Sequence, residues 1–413
     1  MIFFYMLVFA APMPNHPLFE APLAGLTVMK WLGIVCCINA LFSAIKRRRL
    51  PDFTNSLEAR AFLVLIGIAG LSAVTLGGKG NITFSPMSSY FSFLLLFFAT
   101  ITLVNSFERL HKALLAAIAG SAFASVYVIR EFQLSGGTNL RPGYVAGDSN
   151  YFAACCVLVM PIAVYFAREK SSPWERRFCV VSLVIIFIAF TLASSRGGLV
   201  GLCVAILYMA LRSGRSRRTA IVATLVLLPL FVFSPASPLS RMLHPDFGDE
   251  LGAQIRLDFW REGLEMVKNH PITGVGLGNF TAYSYAGTFG AKGMKGMACN
   301  TFLEITAELG FTGLLAYCAI LGGALMSAGK VRAEGKKHKQ TQLLYAGEGM
   351  QAGLLGFIAA SMFLSAEYQK PFWVFVALSA TVSSLLMQRA RQQNGRRKQT
   401  AAYGVRNYVA TKA

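Results

Sequence analysis

Charged side chains are scarce in this sequence: they make up 14% of its 413 residues, and only 19 are acidic. Water-soluble globular chains carry about a quarter charged residues, so that class is excluded. Histidine is rarer still, with 5 copies, and no cysteine and histidine cluster has metal-ligand spacing. Neither a metal nor another cofactor is therefore expected. Seven of the 8 cysteines (Cys36, Cys37, Cys155, Cys156, Cys179, Cys203 and Cys318) fall inside apolar runs, where thiols serve as small packing residues, so no disulfide framework is implied. Only Cys299 lies at a boundary. A nucleotide fold is missing too. Gly274-Val-Gly-Leu-Gly278 follows no buried strand and opens no βαβ unit, and its glycines are expected to bend a loop tightly back to the membrane. The apolar start at 1–12 has no small-residue cleavage site after a basic stretch, and it reads as a first helix, not a removed signal.

What the chain has in abundance is apolar length. With 55% hydrophobic residues and a mean hydropathy of +0.53, it reads as an all-α polytopic integral membrane protein. A spanning helix needs about 20 apolar residues. Eleven further spans are expected near 23–45, 61–76, 87–106, 113–129, 151–167, 178–194, 199–211, 220–234, 301–329, 343–364 and 371–387, making about 12 with the first. The organisation follows: helices over 1–234, a long periplasmic loop with an amphipathic helix over 235–300 before the tenth span, three more helices over 301–387, and a basic cytoplasmic tail over 388–413. The formal charge of +20 supports this threading. Alternating spans put residues 46–49, 109–112, 168–177, 212–218, 330–339, the tail and Arg60 on one side, with 27 of the 39 lysines and arginines; together with Asp52, Glu58, Glu108 and Glu348 that side holds only 7 of the 19 acids. That asymmetry is the positive-inside pattern. It places both termini in the cytoplasm, and it leaves no need for a nucleic-acid partner.

The opposite side then receives a few polar groups in suggestive settings. Arg196, in Ser194-Ser-Arg-Gly-Gly198, sits between two spans with almost no loop, where a guanidinium needs an anion or must snorkel to headgroups. Arg141 and Arg256 share that side, and several arginines on one face make a diphosphate clamp. Asp148, Ser149 or Asn150 caps the next span. From Ile255 to Val267 a helical period puts Ile255, Phe259, Trp260, Leu264 and Val267 along one face. Glu304 and Glu308, spaced i, i+4 with Asn300, and Glu367 in the last outer link are carboxylates placed for general acid and base work or for a helix N-terminus. Gly310 and Gly313 are expected to allow close helix packing.

These segments resemble a known family. Arg256, a tryptophan, and Pro271-x-x-Gly-Val-Gly-x-Gly278, followed by Asn300, nine residues, Gly310, two residues and Gly313, are similar to the O-antigen ligase and polymerase superfamily. Asp148-Ser-Asn150 and Ser195-Arg-Gly-Gly198 resemble it as well. The resemblance implies an inner-membrane glycosyltransferase that takes a glycan from undecaprenyl diphosphate, with no nucleotide sugar and no required metal. The acceptor is the lipid A core for a ligase, another repeat unit for a polymerase, or a protein for an O-oligosaccharyltransferase. Arg196 and Arg256, with Arg141, take the position of the family's diphosphate-binding arginines. The family's histidine before Asn300 is replaced by Cys299, a poor proton carrier near neutrality. Either a carboxylate among Glu304, Glu308 and Glu367 replaces it, or a nearby arginine ionises Cys299, or the chain is an inactive version. A transporter or flippase is the alternative class, disfavoured by the few charged residues near the centres of the spans.

Overall fold

The structure, a computed structural model, describes residues 1–20, 22–23, 26–47, 53–75, 84–137, 142–169, 172–212, 247–286 and 296–410. Its helices are α1 (Ile2–Ala10), α2 (Pro17–Glu20), α3 (Val28–Lys46), α4 (Leu57–Thr75), α5 (Phe84–Leu103), α6 (Phe107–Leu134) and α7 (Ser149–Phe166). They continue with α8 (Pro173–Leu192), α9 (Arg196–Arg212), α10 (Phe247–Asn269), α11 (Phe280–Ala286), α12 (Thr301–Lys337), α13 (Thr341–Ala360) and α14 (Lys370–Ala410). A two-residue antiparallel ladder pairs Pro22 with Thr27 and Leu23 with Leu26. Eight helices (α3 to α7, α12, α13 and the first half of α14) are long and apolar enough to cross a membrane. The chain is an all-α polytopic membrane protein. Those eight are counted among the described residues; the stretches expected to span at 178–194 and 199–211 are helical, as α8 and α9, but neither is one of the eight, and the one at 220–234 lies outside the described residues. The first helix has 9 residues, about 14 Å of rise against a hydrocarbon layer of about 30 Å, so it packs against α6 and α3 without spanning alone.

Local chemistry sets the helix starts. Thr27, Ser106, Asp148, Ser172 and Asn300 each accept a backbone N–H of the first turn that has no partner inside the helix, and Pro173 follows its cap at N1. Between the helices, close packing takes the place of a hydrophobic driving force. A Cβ on Gly201 of α9 would stand 2.5 Å from the Gly356 carbonyl oxygen of α13, so these two backbones meet directly. Around Trp373 of α14, Phe93 stacks at 5.0 Å and Phe62 lies at 4.8 Å.

One end of the bundle is knitted by hydrogen bonds between elements far apart in sequence. Ser195 Oγ, before α9, donates to Asn150 Oδ1 of α7 at 2.9 Å. The Thr301 N–H of α12 donates to Leu364 O after α13 at 3.1 Å. Leu277 N–H donates to Ser72 Oγ of α4 at 3.1 Å, and Gly143 N–H donates to Glu131 Oε2 of α6 at 3.2 Å. The opposite end carries the basic residues of the turns, among them Arg212, Lys336 and Lys337.

Candidate active site

The site is built on a broken helix. Gly310, inside α12, has φ 68° and ψ −173°, which releases the carbonyls of Ala307 and Glu308 from their helical partners and leaves the Phe311 N–H without its own. The preceding loop satisfies all three. Val275 N–H donates to Ala307 O at 2.8 Å, Gly276 N–H to Glu308 O at 3.0 Å, and Phe311 N–H to Pro271 O at 2.8 Å. The Pro271 to Gly278 motif and the Asn300 to Gly313 motif are therefore two halves of one joint. A Cβ on Gly310 would lie 2.1 Å from Ile272 O, and one on Gly274 would lie 2.3 Å from the Glu308 backbone. Gly310 thus serves a break in the helix and not the close packing expected of it.

Within this joint Glu308 is a structural pin. Its Oε1 accepts the Phe280 N–H at 3.2 Å, so its side chain holds the far end of the same loop. Asn300 is a cap: Oδ1 accepts from Phe302 N–H at 3.0 Å and from Leu303 N–H at 3.1 Å. Immediately before it, Cys299 has φ 50°, a conformation that L residues other than asparagine, aspartate and histidine seldom adopt. Trp260 of α10 fixes this turn by donating Nε1–H to Ala298 O at 2.7 Å. Burial pushes the Cys299 thiol up, and the nearby Arg256 guanidinium offsets that only in part. The arginine therefore does not ionise it.

Glu304 and Glu367 meet across the link between α13 and α14. Thr301 Oγ1 donates to Leu364 O at 2.7 Å and accepts the Ala366 N–H at 2.8 Å, which lays the link against the first turn of α12. Ser365 Oγ then donates to the Glu304 carboxylate, and Glu367 lies within electrostatic reach of Glu304. Glu304, Glu308 and Glu367 are 5%, 6% and 2% exposed. Burial first, and then the Glu304 charge, hold the Glu367 proton well above the usual carboxylate range.

Of the expected site residues, the structure brings Arg256, Cys299, Glu304 and Glu367 into one electrostatic neighbourhood. Glu308 lies a turn further along, and Asn300 caps the helix beneath them. Arg196 is the half-buried first residue of α9, beside the Ser195 and Asn150 contact. Arg141 lies outside the described residues. The amphipathic run is α10, and Ile255, Phe259 and Val267 pack inward as expected, whereas Leu264 is 61% exposed and Glu262 and Met266 are buried in its place. Sequence reasoning missed Ser365, Ser72 and Tyr151. Tyr151 feels the charges of Glu367, Asp148, Glu304 and Cys299. A lone serine within the apolar α4 was the available signal for Ser72. Among the described residues, no group of three or more His, Cys, Asp or Glu is arranged to hold a metal ion.

Residues 181–318 match the family model described as O-antigen ligase. Over that stretch the chain is similar to the O-antigen ligase family. The match takes in Arg196, Arg256, Cys299, Asn300, Glu304 and Glu308, and it ends before the link that bears Glu367. O-antigen ligase domains are glycosyltransferase-like and work on lipid-linked glycans in membranes. No curated protein matches the chain.

Proposed function

We propose that this chain moves a glycan from undecaprenyl diphosphate to an acceptor hydroxyl, with the lipid A core as the leading acceptor. The observation that carries the reading is the meeting of Arg256 and Cys299 at the knitted end of the bundle, within the matched domain. Transfer requires a leaving diphosphate whose charge is met by fixed cations. Arg256 and Arg196, with Arg141 from the loop before α7, fill that role. Glu304, Glu367, Glu308 and Asn300 frame the site. Cationic residues gather at the opposite end, which by the positive-inside rule faces the cytoplasm of a bacterial inner membrane. The site then opens to the periplasm, where no nucleotide sugar is needed.

The test is transfer by the purified protein in liposomes from undecaprenyl-diphosphate glycan to lipid A core, repeat unit or peptide acceptors. Core glycosylation supports the ligase reading, and exclusive extension of a repeat unit or modification of a peptide replaces it with polymerase or oligosaccharyltransferase. Arg196→Ala with Arg256→Ala is expected to abolish transfer, and full activity in that double variant removes the clamp. Cys299→His suits the positive φ at this position and is expected to turn over alongside the unmodified protein. Activity in the histidine version alone identifies the chain as a disabled form.

A further inference from the structure

Resting on the glycan-transfer reading, we infer that the Asp148 carboxylate is the base that takes the proton from the acceptor hydroxyl. The histidine position holds Cys299, a thiol that burial keeps protonated. Glu304, Glu308 and Glu367 are buried, and the first two are committed to Ser365 and to the Phe280 N–H. Asp148 differs from all of them in being exposed, and its charge still reaches the Cys299 thiol.

Its geometry is that of a held group. Oδ1 accepts from Asn150 N–H at 2.7 Å and from Tyr151 N–H at 2.9 Å, which fixes the carboxylate plane, and Oδ2 has no hydrogen-bond partner among the described residues. The turn beneath is pinned as well: Asn15 donates its N–H to Val145 O at 3.2 Å and its Nδ2–H to Tyr144 O at 3.1 Å. Preorganisation of this kind lets a group act without reorganising at the moment of reaction. Asn150, two residues on, is bonded to Ser195, the neighbour of Arg196, so base and cation share one support. In the same neighbourhood Glu367 Oε2, on a residue 2% exposed, has no hydrogen-bond partner among the described residues. This leaves a polar atom for an incoming hydroxyl-rich ligand to satisfy.

The step balances as follows. The acceptor O–H bond breaks and its proton passes to Asp148 Oδ2, while the hydroxyl oxygen bonds to the anomeric carbon. The bond from that carbon to the diphosphate oxygen breaks, and its electron pair leaves with the diphosphate. Asp148 then returns the proton to water.

Cap and base can be separated by substitution, because asparagine and serine cap helices about as well as aspartate but neither takes a proton. Asp148→Asn and Asp148→Ser, assayed in the liposome system, are expected to keep the thermal midpoint and the donor KM while kcat falls about 100-fold or more. Wild-type turnover by either folded variant overturns the assignment and leaves glycan transfer standing. If the unmodified protein transfers no glycan from any donor to any acceptor tried, the transfer reading falls and this inference with it.

Discussion

At the basic end of the bundle, carboxylates are matched with basic side chains: Glu175 with His111 at 3.1 Å, Glu334 with both His338 at 3.2 Å and Arg389 at 3.3 Å, and Glu348 with Arg332 at 3.5 Å. At the site end, Glu304 is held by the Ser365 hydroxyl and Glu308 by the Phe280 amide, and none of Glu304, Glu308 and Glu367 pairs with a cation among the described residues. Pairs near water are adjustable and individually weak. A buried carboxyl tied to named donors defines a geometry instead, and losing a donor or acceptor there leaves its partner unsatisfied. The difference teaches that these carboxylates are placed by ion pairs at one end and by neutral hydrogen-bond donors at the other.

The contrast breaks most visibly at the joint. Gly310→Ala forces a Cβ against Ile272 O in a backbone region suited to glycine, and it is expected to cost about 3 kcal/mol, read as a large drop in thermal midpoint in nanodiscs. A midpoint unchanged by this substitution would mean that the break is dispensable. Next comes the pin. Glu308→Leu removes the acceptor for the Phe280 N–H and should cost about 1–3 kcal/mol, whereas Glu308→Gln retains a carbonyl there and should cost less than about 1 kcal/mol. Equal losses in the two variants would show that charge, and not hydrogen bonding, matters at the site end.

Glu367 sharpens the comparison through pH. Its carboxyl holds a proton well above the usual carboxylate range when folded, so folding takes up a proton. The stability from this group is full below the ordinary carboxylate range and declines as pH rises through the raised value, by at most about 1.4 kcal/mol per pH unit. Glu367→Gln should flatten that decline in a series of thermal midpoints against pH, and an unaltered slope would assign the proton uptake elsewhere. The smallest effect is expected at the other end. Arg389→Gln should change stability by less than about 1 kcal/mol and more weakly still at high salt, and a loss as large as that of Glu308→Leu would erase the distinction between the ends.

Much of this architecture was legible in residue patterns. The apolar runs located the helices because lipid demands about 20 such residues in a row, and the spacing from Asn300 to Gly313 marked a motif. The reasons inside that motif were hidden, because the cap at Asn300 is local but the break at Gly310 is completed by Pro271, Val275 and Gly276, some 35 residues upstream. The exchange of Leu264 for Met266 on the inner face of α10 was hidden for a related reason. Leu264 satisfies the helical period as well as Met266 does, and only the Leu303 and Phe280 side chains packed against Gly263 decide which sector faces inward. Glu304 and Glu367 could be named from sequence as carboxylates on one side, yet their meeting depends on Thr301 drawing the last link against α12.

The joint at Gly310 also dictates an order of assembly. The upper segment of α12 cannot satisfy its Ala307 and Glu308 carbonyls until the 270–280 loop, made earlier in the chain, has folded back onto it. The other spanning helices close their own hydrogen bonds as they form, so α12 alone among the described spans depends on distant backbone to finish its ladder.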